Sequence, residues 1–325
     1  MQSFTSTPRL RVGVLGAQDR PMLWNASEND RMLLSLATAL GLDHDVFVFS
    51  ICDHDPFVAI REPFTRLSLP SLSDALDAML SCALDVVLLS DASPFVTSIQ
   101  TPTVLIADSK DTSSQALSLA SKVAAVSWPL AESVSRASLR SDVLVIPPAP
   151  LSSLSQSFKP HEAVLLVCDW SEDSGVVDAC SLRRRARFEA NLTVAAPPRT
   201  PGQDESLRKF VAATPGVTVV DLPTSPNAWV SLVASHKVLL TPALGTTAPH
   251  WSAAQALSLS RFVVGFEHPS MPSAGPDGLS LTSPGDMHGL ARLLSHALSS
   301  ITLPEPPLES HAPEMVEGLL VSAAF

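Results

Sequence analysis

The residues that could do chemistry in this chain are few and scattered. His54 stands between two acids in Asp53-His54-Asp55. That triplet carries the donors of a carboxylate-held divalent cation or of an acid–base pair. Its position in a polar stretch after an apolar run reads as a solvated loop. His250, beside Trp251 and just ahead of an apolar helical pattern, reads as a surface or capping histidine. No G-x-S-x-G elbow marks a nucleophilic serine. The loop after the first apolar strand, residues 16–28, contains one glycine, Gly16. A dinucleotide or P-loop site needs several, for tight turning and for backbone approach to phosphate. Cys52, Cys82, Cys168 and Cys180 form no C-x-x-C pair, which argues against a zinc or redox site. The residues alone therefore assign no catalytic group, no metal and no resident cofactor.

Composition narrows the classes further. A net charge of −11 with 21 Lys+Arg lacks the basic surface expected of a nucleic-acid binder. The one basic cluster, Arg183, Arg184, Arg185 and Arg187, reads as a solvated helix face. No apolar run reaches the ~18 residues that span a bilayer, and residues 1–11 lack the apolar core of a signal peptide. The expected compartment is the cytoplasm. An apolar content of 46 % over 325 residues suits a folded chain of two domains.

The elements that must position any site alternate short β-branched runs with amphipathic helical stretches, the pattern of parallel sheets covered by helices. Strands are predicted over 11–16, 45–50, 85–90, 102–107, 124–127 and 142–146, then over 163–168, 192–196, 217–220, 238–240 and 262–265. Helices are predicted over 29–40, with Gly41 as the residue that stops it, and over 72–83, with Ser71 or Ser73 as N-cap. Further helices are expected over 130–137, 205–213, 227–235, 252–259, 287–299 and 313–324. Pro147-Pro-Ala-Pro150 and the serine-rich stretch behind it read as a boundary. The organisation expected is two Rossmann-like, doubly wound α/β domains at 1–150 and 161–303, a linker at 151–160, and a tail at 304–325. The helix of that tail carries Met315, Val316, Leu319 and Leu320 at helical spacing and is expected to pack back on the first domain.

The order of segments resembles the family 4 glycosyltransferases of the GT-B fold over nearly the whole chain. The resemblance rests on Arg31-Met-Leu-Leu-Ser-Leu-Ala-Thr-Ala-Leu-Gly41, Asp45-Val-Phe-Val-Phe49, Asp85-Val-Val-Leu-Leu89, Thr101-Pro-Thr-Val-Leu105, Ala124-Ala-Val-Ser127 and Asp142-Val-Leu-Val-Ile-Pro147. In the second half it rests on Gln255-Ala-Leu-Ser-Leu-Ser-Arg-Phe-Val-Val264, Gly275-Pro-Asp-Gly-Leu279 and Ser283-Pro-Gly-Asp286. It implies a nucleotide sugar as donor ligand, held by the second domain, with the acceptor on the first.

At the positions where the resemblance places the donor site, the residues have changed. Asp169 stands where the family has a phosphate-binding Arg and Ser174 where it has a Lys, within Cys168-Asp-Trp-Ser-Glu-Asp-Ser-Gly175. Thr247 and Gln255 replace the two glutamates of the E-x7-E pair, although Gln255 could still hydrogen-bond a ribose. Asn25-Ala-Ser-Glu28 replaces the glycine-rich loop of the first domain, and the histidine expected near the reacting sugar has no counterpart in 85–91 or 107–110. Cations normally stabilise a departing diphosphate, and an Asp in their place repels it. The implied function is a GT-B protein without donor-phosphate and E-x7-E residues, a non-catalytic binding subunit with a protein partner or a second copy of itself. The alternative left open is an active hexosyltransferase that uses a nucleotide sugar through an unusual site.

Overall fold

The computed structural model describes residues 8–16, 22–52, 62–90, 98–107, 112, 114–151, 159–185, 190–197, 205–245, 250–271, 277–307 and 311–325. The first sheet holds β1 (Arg11–Leu15), β2 (Asp45–Ile51), β3 (Thr65–Leu69), β4 (Val86–Ser90), β5 (Thr103–Ala107), β6 (Lys122–Ala125) and β7 (Leu144–Val145). Its order is β3-β2-β1-β4-β5-β6-β7, parallel throughout. The second sheet holds β8 (His161–Val167), β9 (Asn191–Ala196), β10 (Val217–Asp221), β11 (His236–Thr241), β12 (Phe262–Phe266) and β13 (Leu279–Thr282). It is also parallel, in the order β10-β9-β8-β11-β12-β13. The central strands are buried along almost their whole length, as strands covered by helices on both faces must be. The chain thus builds two parallel α/β domains. Each has a switch point in its strand order, between β1 and β4 and between β8 and β11, where open α/β sheets form their binding crevices.

The helices are α1 (Glu28–Leu40), α2 (Leu72–Ser81), α3 (Ser114–Leu119), α4 (Trp128–Ser138), α5 (Val176–Arg185), α6 (Glu205–Ala212), α7 (Pro226–Ala234), α8 (His250–Ser258), α9 (Met287–Ser299) and α10 (Ala312–Ala324). Serine side chains start four of them. Ser27, Ser71, Ser127 and Ser225 accept from the amides of Asp30, Asp74, Leu130 and Ala228, each satisfying an orphan donor of the first turn. Capping accounts for part of the serine usage of the chain. Asp286 does the same for α9 through the amide of Gly289, at 2.8 Å.

Gly41 ends α1 as expected, with an ordinary right-handed φ of −66°. A side chain at this position would meet the carbonyl oxygen of Pro63 at 2.4 Å. The glycine is required by close approach of a neighbouring segment. Gly175 is different: its φ is +76°, and a side chain there would run into the backbone of Pro242.

Periodicity missed two edge strands, the short helix α3 and the ten-residue helix α5 (Val176–Arg185). β3 and β13 close one side of each sheet and pair with a single neighbour, so their sequences carry no continuous apolar run. α3 has six residues, too few for a helical period to show. β7 spans two residues where five are expected from 142–146. α10 lies against α1, β4 and β5. There Val316 and Leu320 are fully buried while Met315 stays exposed. His44 accepts the Leu10 amide on Nδ1 at 3.2 Å and turns Nε2 toward Glu317 of α10 at 3.4 Å.

One apolar cluster runs from the first domain through Trp24, Trp229 and Trp251 to Leu165, Leu239 and Val263 of the second sheet. A separate cluster fills the opposite side of that sheet with Val164, Leu166, Val238 and Leu240. The alternation along β8 and β11 divides these residues between the two. No described helix is long and apolar enough to cross a membrane.

Candidate functional site

The second switch point is built by the loops that leave β8 and β11. In the β8 loop the exposed Asp169 folds back on its own turn, and its Oδ1 accepts from the Ser171 amide at 3.2 Å and hydroxyl at 2.5 Å. Ser174 is buried in a 3-10 turn, Glu172–Ser174, and its hydroxyl donates to the Ser171 carbonyl at 2.7 Å. Trp170 beneath them donates its indole N–H to the Pro197 carbonyl at 3.2 Å. The β11 loop rests on this turn, with the Leu244 amide donating to the Asp173 carbonyl at 3.0 Å. Topology therefore brings residues 169–175 and 242–245 together. Thr247 lies outside the described residues, as do Asp53, His54 and Asp55. Burial, and then the neighbouring Asp169, push the Cys168 thiol well up, which makes it a poor nucleophile.

Gln255 faces a different group. It is fully buried in α8, where its Oε1 accepts from the Leu151 amide at 2.8 Å and its Nε2 approaches the Ser258 hydroxyl at 3.3 Å. The side chain fastens the segment that links the two domains to the second one.

Among the described residues, a polar cluster at the junction joins His250 and Glu28 of the Asn25–Glu28 stretch to residues that no sequence pattern marked. Three helices present their first turns here. Glu28 and Arg31 open α1, Trp229 lies in the first turn of α7, and His250, Trp251 and Ser252 open α8. The Glu28 carboxylate accepts from the Ser252 amide at 2.9 Å and from its hydroxyl at 2.7 Å. Arg31 donates to the same carboxylate at 2.5 Å and to the Trp24 carbonyl at 3.3 Å, and its guanidinium lies 4.5 Å above the Trp229 ring. Burial pushes the Glu28 carboxyl up, but Arg31, His250 and the Ser252 hydroxyl outweigh it and hold it below its ordinary value. His250 is fully buried, which corrects the reading of it as a surface histidine. The cation it contributes when protonated favours the Glu28 carboxylate.

Three tryptophans surround this charge cluster. Trp229 meets Trp251 edge-on at 5.7 Å, and Trp24 lies 6.1 Å from Trp251. Each indole N–H has a carbonyl or carboxylate partner: Trp229 donates to the Trp24 carbonyl at 2.9 Å, Trp251 to the Ala149 carbonyl at 3.1 Å, and Trp24 to Glu62 at 3.2 Å. Buried indoles need such partners. The Ala149 carbonyl also accepts from Ser35 at 2.8 Å. A second clasp joins the domains where the Ser127 hydroxyl donates to the Pro269 carbonyl.

What this arrangement does chemically follows from the helix terminus. The first turn of a helix presents unpaired amides and a positive dipole end, a ready anion site. At α8 that site is taken by a carboxylate of the chain itself. No local signal singles the cluster out, since Trp128 also stands at a serine-capped helix start and is exposed. Among the described residues no group of three or more His, Cys, Asp or Glu could hold a metal ion.

No family model and no curated protein matches the chain. Solved structures do. HepE from Anabaena, in complex with UDP and glucose, superposes with a TM-score of 0.66 at 13 % identity, over 97 % of each chain. UDP-GlcNAc 2-epimerase from Neisseria meningitidis, bound to UDP-GlcNAc, gives 0.65 at 11 %, over 96 % of this chain and 99 % of that one. The avilamycin glycosyltransferase AviGT4 gives 0.61 at 14 %, over 97 % of each. At these identities the likeness speaks for architecture. The chain has the two-domain GT-B fold of nucleotide-sugar glycosyltransferases and epimerases.

Proposed function

We propose that this chain is a degenerate relative of the family 4 glycosyltransferases that has given up nucleotide-sugar binding and acts as a non-catalytic binding or partner subunit in the cytoplasm. The observation that carries the reading is the part-buried Glu28 carboxylate, bonded to the first turn of α8. An anion site at the domain junction is thereby satisfied from within. Three other features support it. Asp169 offers negative charge where a diphosphate needs a cation. The hydroxyl of Ser174 is turned into its own loop. The amide of Gln255 is engaged with the linker and is not free to hold a ribose. Neighbours in fold hold UDP with glucose, or UDP-GlcNAc, and fold alone does not transfer that chemistry.

The test is a thermal-shift panel of UDP-, GDP- and TDP-sugars on the full chain. A ligand that binds the native state raises the midpoint. The reading expects no shift with any donor. A saturable shift with one of them would restore the enzyme reading and identify its donor.

A further inference from the structure

We propose that Ser127 and the Pro269 carbonyl form a latch between the two domains, that His268 sets this latch, and that protonation of His268 releases it. The latch holds whether or not the chain binds a donor. Ser127 follows β6 in the first domain and donates its hydroxyl to a carbonyl in the loop after β12. The same oxygen accepts the Leu130 amide at 3.3 Å. One hydroxyl thus ties the start of α4 to the second domain. Its partner carbonyl lies inside a tight turn, closed by the Met271 amide on the His268 carbonyl at 3.0 Å. The imidazole of His268 fastens that turn. Nδ1 lies 2.7 Å from the Ser270 hydroxyl and 3.2 Å from the Ser270 amide, and Nε2 lies 2.9 Å from the Gly245 carbonyl. Two of these partners are backbone groups with fixed roles, since an amide donates and a carbonyl accepts. The hydrogen of the neutral ring is therefore on Nε2, and Nδ1 is an acceptor. A second proton must go to Nδ1, where it faces the Ser270 amide hydrogen. The turn then loses the bond that holds Ser270 to the ring. Pro269 lies between the two residues that separate, so its carbonyl moves off Ser127. The titratable groups of the adjoining loops are Asp169, Glu172 and Asp173 after β8, and Glu267 and Asp277 after β12. All are acids, so no like charge in these loops opposes an imidazolium. The loop after β11 carries none before His250, whose charge partner is Glu28. On α4, Glu132 and Arg136 pair with each other. The released turn binds the proton better than the latched one, so acid favours release.

The experiment labels the full chain with 5-fluorotryptophan and follows Trp128 by fluorine NMR from about pH 8 to about pH 5, the range in which histidine titrates. Trp128 adjoins the latch and is 70 % exposed, and W128F assigns its resonance. Two variants separate the parts of the device. S127D keeps an oxygen to cap α4 and has no hydrogen to give to Pro269. H268N keeps an acceptor near the place of Nδ1 and cannot take up a proton. The expected result is a resonance that moves between two limits in wild type and is flat in both variants. Amide exchange at Leu130 and Met271, corrected for the intrinsic effect of pH, is expected to rise about tenfold or more as the wild-type resonance moves. In S127D it is expected to be fast at every pH, and in H268N slow. A wild-type resonance that ignores pH overturns the proposal, as does exchange that stays level while the resonance moves. Titration in S127D like that of wild type also overturns it, because the resonance then reports charge without release. Titration in H268N does the same, because the proton then binds elsewhere. Either variant decides the matter if the other fails to fold.

Discussion

At the scale of single residues, the junction depends on Trp251 and Glu28. Trp251 is fully buried between two other indoles and bonded to Ala149. Truncation to Ala is expected to cost about 3–5 kcal/mol, the range for a large buried aromatic, read as a fall in the denaturant midpoint. Glu28 makes stability depend on pH with a definite sign. Its folded pKa lies below the ordinary value, so the folded state binds fewer protons than the unfolded chain as the medium turns acid. The stabilisation is complete above the unfolded glutamate pKa of about 4.3 and is lost as pH falls through the folded value. E28Q should be less stable than wild type at neutral pH, with the gap closing on acidification. A gap that stays constant from pH 7 down to the acid transition would contradict the assignment. These partnerships were hidden in the sequence, because Ser252 and Glu28 are joined only by the fold. Local signals were legible where the partner is near: Ser71 was readable as the cap of α2 because the amide it receives is three residues away.

At the scale of elements, continuous apolar runs revealed the central strands, since burial on both faces leaves no polar positions to blur them. The edge strands β3 and β13 have one paired side and half-exposed residues, and their sequences resemble loops. The same reasoning applies to Gly175. In the sequence it merely ends the run Cys168–Gly175, and its conformational role emerges only from its φ of +76° and from the clash a side chain there would make with Pro242. G175A should cost about 1–3 kcal/mol through backbone strain in the left-handed region and should loosen the β11 loop from the β8 loop. Slower amide exchange in Leu244 of the variant than in wild type would count against this, because that amide donates across the joint to Asp173. α10 offers a second check. Leu320 is fully buried where α10 meets the first sheet, and L320A is expected to lower stability by about 2–5 kcal/mol in urea unfolding. M315A, at an exposed position of the same helix, should change it by less than about 0.5 kcal/mol.

At the scale of the whole molecule, two features underlie the proposed loss of nucleotide-diphosphate binding. The net charge is −11, so the long-range field repels a polyanion. The junction between the sheets is filled by indoles and closed by the Glu28 carboxylate, with Ser127 and Pro269 forming a second clasp. The two-domain architecture was legible in the sequence because strand and helix periods alternate and a proline-rich segment interrupts them. The filling of the junction was not, since its tryptophans come from three segments that periodicity treats separately. The most direct measurement of the central claim is a calorimetric titration of UDP into the wild-type protein at low ionic strength, where a charged site would bind most strongly. The account predicts no saturable heat at millimolar UDP. A one-to-one isotherm with a micromolar dissociation constant would contradict it.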